Sequence, residues 1–198
     1  LENFEDSLLN VTGVTASVGA PFGPGGLTDS VDGDDGVIDG SGTLGHSFFS
    51  SSGAAGITFT FSAAQLGALP THAGIVWTDG GAGATIQFEA FGPLDESLGV
   101  IGPTNLTGAF PDNSNSGETA EDRFFGVIHP GGISAIKISN TAGGIEVDHL
   151  QYGICGAFPE LFCSLTPPTA TSQIDSLHTV TAKVTASNNP VAGTLVRF

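Results

Sequence analysis

Short stretches of alternating residues recur along the chain, each bounded by Gly, Pro, Asn or Asp. Ile57, Phe59 and Phe61 alternate with Thr58 and Thr60, the period-two signature of a strand that buries one face. Residues 74–78 (GIVWT) and 85–91 (TIQFEAF) repeat it, joined by a Gly-rich turn over 79–84. Residues 123–129 (RFFGVIH), 133–139 (ISAIKIS) and 145–152 (IEVDHLQY) follow, separated by Pro130-Gly131-Gly132 and by the turn residues 140–144. The single helical turn expected is 62–69, with Ser62 as N-cap. Residues 92–121 read as loop-rich, with Pro103, Pro111 and an Asn/Ser/Gly cluster. Many short strands at this spacing predict an all-β antiparallel sandwich or barrel.

In the last of these strands the parity slips. Glu146 and Asp148 share one face and Ile145 and Val147 the other, but Leu150 and Tyr152 fall on the opposite parity. A bulge near Asp148-His149 accounts for the slip. Residues 146–151 (EVDHLQ) also resemble the E-x-D-x-x-E strand of β-sandwich endoglucanases. Gln151 stands where that family has its second Glu, and an amide cannot cycle a proton. Trp77 is the sole Trp and Tyr152 the sole Tyr. They are the residues expected to stack on a sugar ring, although Trp77 shares the parity of Ile75 and so also suits the core.

Charge and composition narrow the functional classes. With 20 acidic and 4 basic residues, a net charge of −16, the chain is no binder of nucleic-acid backbones. No apolar run has the length of a transmembrane helix. Gly reaches 30 of 198 residues and good helix formers are scarce, which again favours turns and strands. Met is absent even at position 1, so the chain is expected to begin inside a longer product. Cys155 and Cys163 enclose seven residues and are expected to form a small disulfide in an oxidising compartment. Sequons stand at Asn10 and Asn105.

The densest chemical feature is 29–39 (DSVDGDDGVID), which holds Asp29, Asp32, Asp34, Asp35 and Asp39. Five adjacent carboxylates repel one another unless a cation relieves them. Hard oxygen ligands on a Gly-containing loop suit Ca²⁺, though the spacing does not fit an EF-hand. Glu2, Glu5 and Asp6 form a second acidic group, and Glu146 with Asp148 a third. If the first and last strands lie side by side, these two groups meet. The five His residues form no close pair, and the GxGxxG of 40–45 follows no strand.

Residues 1–153 resemble a class of secreted bacterial β-sandwich domains found in PEP-CTERM and other anchor-associated proteins. The resembling pieces are Asn3-Phe4-Glu5-Asp6, Phe124-Phe125-Gly126-Val127 with 133–136, and the closing 147–153. That class is similar to jelly-roll carbohydrate-binding modules. The resemblance implies a jelly-roll-type antiparallel β-sandwich, with a structural calcium held by Glu5 or Asp6 together with Asp148. Residues 165–198 resemble the start of a bacterial Ig-like domain of the invasin and intimin type, on Leu165-Thr166-Pro167-Pro168, 178–181 and 189–198. Residues 154–164 then form a disulfide-clamped linker. The expected function is non-catalytic binding or adhesion, secreted or at the cell surface, toward a glycan or matrix component. The alternatives are a subunit that assembles with copies of itself into a surface layer or fibre, and a β-sandwich glycosidase or lyase.

Overall fold

The computed structural model describes residues 1–31, 42–81, 83–105, 122–154, 161–166, 181–186 and 189–190. It divides into one unit of Leu1–Cys155 and a second of Gly156–Phe198. The first is a sandwich of two five-stranded sheets. One sheet runs, in spatial order, β1 (Val14–Ala16), β4 (Ile57–Phe61), β9 (Ala135–Asn140), β6 (Thr85–Phe91) and β7 (Ser97–Asn105). The other runs β2 (Ala20–Phe22), β3 (Ser47–Ser50), β10 (Ile145–Gly153), β5 (His72–Gly80) and β8 (Arg123–Ile128).

The antiparallel pairs are nested: β3 with β10, β4 with β9, β5 with β8 and β6 with β7. That is one long hairpin wound on itself, the jelly-roll arrangement of two Greek keys. Winding adds the pairs β10–β5 and β9–β6, which place β10 and β9 inside their sheets. The fold class expected for residues 1–153 is therefore the one observed.

The alternation read from the sequence explains the packing. In β4 the residues Ile57, Phe59 and Phe61 are buried, and Thr58 and Thr60 are not. Phe59 meets Phe48 of β3 edge-on, with ring centroids 5.4 Å apart. Ile136, Ile138 and Phe88 oppose Ile75, Trp77, Ile145 and Val147 in the same apolar layer. The bulge expected in β10 is present: its register with β5 shifts between Asp148 and Gln151, and His149 has φ +50°.

Three expectations need correction. Residues 97–105 form β7 instead of loop, because β6 offers a full partner edge that outweighs the local cost of Gly99, Gly102 and Pro103. The expected helical turn is shorter, α1 (Ala63–Leu66), with no side-chain cap from Ser62 and an end at Gly67, φ +85°. In the second unit, β11 (Leu161–Thr166) pairs in register with β12 (Thr181–Ala186), which also pairs with β13 (Asn189–Pro190). The segment expected as a linker thus carries strand from Leu161 onward. Cys155 lies outside the described residues, and so does most of the Ig-like segment.

Phe59 is fully buried between the sheets. Phe59→Ala should destabilise the first unit by about 3–5 kcal/mol, read from urea unfolding midpoints. A cost under about 1 kcal/mol would mean that this ring is not a core element.

Candidate functional site

Two features stand out on the outer side of the β10-containing sheet. The first is a group of buried carboxylates. Alternation in β10 turns Ile145 and Val147 toward the core and leaves Glu146 and Asp148 on the other face, yet both carboxylates are almost fully buried. Residues 28–31 cover them. The backbone N–H of Asp29 donates to Glu146 Oε1 at 2.9 Å, across a separation of 117 residues. Ser47 donates its hydroxyl to the same oxygen. Asp148 Oδ2 accepts from the Val31 N–H at 2.9 Å and the Ser30 hydroxyl at 3.1 Å. The His149 N–H donates to Asp148 Oδ1 at 2.6 Å, and the His149 ring nitrogen Nδ1 lies 3.1 Å from Oδ2.

Burial pushes the Glu146 carboxyl up to about 7. The hydrogen bonds from Asp29 and Ser47 oppose this rise, while the charges of Asp79 and Asp148 add to it. Asp79 is the cross-strand partner of Glu146 on β5. The arrangement is mainly a clasp: β10 supplies acceptors, and an otherwise irregular segment supplies the backbone donors that must be satisfied when it is buried.

The expected metal residues are thus partly brought together. Asp29 joins Glu146 and Asp148, linking the first and third acidic groups. Asp32, Asp34, Asp35 and Asp39 lie outside the described residues. The first strand, β1, lies in the opposite sheet from β10, and the N-terminal segment reaches β10 through an isolated bridge in which the Glu2 N–H donates to the Leu150 carbonyl at 2.8 Å. The Glu2 carboxylate, however, accepts from the N–H groups of Phe4 and Asn10 within its own segment. Asp6 accepts from the Leu8 N–H and from the Asn10 amide. Glu5 binds His46 through its backbone N–H and its ring. Among the described residues, no three His, Cys, Asp or Glu side chains converge as a metal site.

The second feature is an open groove of about 810 Å³ along the edge strand β8. Phe124, Ile128, Tyr152, Gln151 and His72 line it, and so does Ile101 of β7, the edge strand of the opposite sheet. Phe124 and Ile128 are among the most exposed large apolar side chains of the unit. The Phe124 ring lies over the cross-strand pair Gly74–Gly126. A Cβ at Gly126 would stand 2.7 Å from the ring, and one at Gly74 would strike it. The absence of Cβ atoms at these two glycines makes room for the ring.

This site differs from the aromatic pair expected. Trp77 is only 5% exposed and belongs to the core, so it cannot stack on an external ligand. Tyr152 is partly buried against Phe61, centroids 5.2 Å apart, with its edge in the groove. RFFGVIH reads as an ordinary strand, so its pattern does not single out Phe124 as a groove-lining residue. The available signal was a bulky apolar residue on the outward parity, two residues before Gly126, whose cross-strand partner on β5 is Gly74.

No protein-family model and no curated protein matches the chain. Among solved structures, the enzymatically active domain of tailspike protein 4 from bacteriophage CBA120 is similar at 14% identity, with a TM-score of 0.38. The match covers 78% of this chain and 21% of that one.

The raised pKa of Glu146 has a definite sign in stability. Between about 4.5 and about 7 the folded state keeps a proton that the unfolded chain has released. Stability from this group is therefore full below 4.5, falls as pH rises, and is lost above about 7. Glu146→Gln removes the titration. Relative to the parent, it should gain on the order of 3 kcal/mol in unfolding free energy from pH 4.5 to pH 8. A difference that stays constant across that range would show that Glu146 does not titrate in the folded state.

Proposed function

We propose that the first unit is an extracellular binding and adhesion module whose ligand is a neutral glycan, held in the groove beside β8. The observation that carries this is the exposed Phe124 ring, which packs against the Cβ-less positions Gly74 and Gly126. A flat aromatic face suits the C–H face of a pyranose. The amide of Gln151 and the imidazole of His72 stand in the same groove as hydrogen-bonding groups. No carboxylate or cation lines it among the described residues, and a net charge of −16 opposes acidic glycans. Apolar lining with a few polar groups is the usual composition of a small-ligand groove.

Calcium remains part of the proposal as a stabilising ion. It is supported by the acidic run of 29–39, whose first member is drawn against Glu146. Glu146 and Asp148 already accept hydrogen bonds, so an ion would add to the clasp without creating it.

Glycan-array binding tests the first claim. Phe124→Ala should weaken a detected neutral glycan about 30-fold, the loss of roughly 2 kcal/mol typical of a buried aromatic contact, without lowering the melting temperature. Retained affinity would place the ligand elsewhere. For the ion, EDTA should lower the melting temperature and Ca²⁺ should restore it, by about 2.7 kcal/mol at a hundredfold excess over its dissociation constant. Equal melting in both conditions, with no calcium by elemental analysis, would remove calcium from the account.

A further inference from the structure

We propose that Ser7, His46 and Glu5 form a nucleophilic relay that cleaves activated carboxylic esters, aryl esters in particular. This goes beyond the binding reading, does not rest on it, and departs from the expectation of a non-catalytic chain. The three residues lie well away in sequence from the strands that line the groove.

The geometry follows from one carboxylate. Glu5 Oε1 accepts the backbone N–H of His46 at 2.8 Å, and Oε2 lies 3.3 Å from its ring nitrogen Nδ1. An ionised carboxylate only accepts, so Nδ1 carries the proton. In the neutral ring Nε2 is then the acceptor. It lies 3.0 Å from Ser7 Oγ, so the Ser7 hydroxyl is the donor. Nucleophile, base and orienting acid therefore stand in the order that acyl transfer requires. Glu5 grips both the backbone and the ring of His46, which fixes the tautomer and the direction of the base. His46 is largely covered while Ser7 is exposed, so a fixed base faces an open nucleophile. Ser7 also has φ +63°, a strained conformation for a non-glycine residue and one that clusters at functional sites.

The reaction balances with water as the sole co-reactant. Ser7 Oγ bonds to the ester carbonyl carbon as its proton passes to His46 Nε2, and the carbonyl π pair moves onto oxygen. When the tetrahedral centre collapses, the bond to the leaving oxygen breaks with its electron pair. That oxygen takes the proton from His46. Water then attacks the acyl-Ser7 ester with His46 again as base, releasing the carboxylic acid and restoring Ser7.

The substrate class follows from what surrounds the nucleophile. The N–H of Ser7 donates to the Phe4 carbonyl at 2.8 Å, and that of Leu8 to Asp6 Oδ1 at 3.0 Å. The two amides nearest the nucleophile therefore do not serve an oxyanion, the largest contribution in efficient hydrolases. An ester with a good leaving group needs that support least. Leu8, adjoining Ser7, and Leu44, two residues before His46, are exposed apolar side chains that suit a short acyl chain.

The test uses p-nitrophenyl butyrate and a fluorophosphonate probe on the full chain. The expected result is a phosphonyl adduct on the peptide carrying Ser7. Ser7→Ala and His46→Ala should each lose at least tenfold in kcat/KM with an unchanged melting temperature. If Ser7→Ala does not fold, Ser7→Gly, which accepts the positive φ, replaces it. Glu5 acts through His46 as a positioning residue. Glu5→Gln should lower kcat and leave KM unchanged, with partial recovery in Glu5→Asp. The proposal is overturned if folded protein takes no label at Ser7. It is equally overturned if the Ser7 variant hydrolyses the ester as fast as the parent, which would leave the three residues as a surface hydrogen-bond chain.

Discussion

The pairing of β10 between β3 and β5 is the constraint on which the rest of the first unit depends. It closes the nested hairpin and fixes which residues face the core and which face outward. Ile145, Val147 and Leu150 complete the apolar layer between the sheets. Glu146 and Asp148 then point away from that layer and need cover of their own. Residues 28–31 provide it, so the burial of one irregular segment follows from the register of one strand.

Two kinds of chemistry share this outer face and arise differently. The carboxylate clasp works by satisfying backbone donors, which is why it can bury charge-bearing groups at all. The aromatic groove works by omission: without Cβ atoms at Gly74 and Gly126, the Phe124 ring settles against the sheet. The bulge on β5 between Trp77 and Asp79 helps separate the two regions. It shifts the register so that Asp79 opposes Glu146 while Val76 opposes Asp148.

The fold was legible in the sequence wherever alternation was strong. The β4 and β6 spans are those read from ITFTF and TIQFEAF, and the parity slip at Asp148 marked a real bulge. It was not legible where strands are short or contain glycine. SFFS of β3 is too brief to show a period, and SLGVIGPTN of β7 is held by its neighbour more than by its own propensity. The candidate sites divided similarly. Acidic residues were visible as a group, but only topology could put Asp29 beside Glu146 and leave Glu5 with His46. Trp77 stands out as the sole Trp, whereas the groove-lining position of Phe124 depends on the cross-strand pair Gly74–Gly126 beside it.

The nested hairpin has a consequence for how the chain must reach its folded state. The β3–β10 pair joins Phe49 to Glu146 and the β4–β9 pair joins Phe59 to Ile136, partners far apart along the chain, and the Glu2–Leu150 bridge spans nearly the whole unit. Long-range pairing of this kind is slow, because loop-closure entropy is lost before the contacts form. A chain delivered from its N-terminus, at a ribosome or through a membrane pore, cannot finish the sandwich until β10 emerges. Until then the edges of β3 and β5 stay open to wrong partners, and the near absence of Lys and Arg, with a strongly like-charged surface, works against association in that interval.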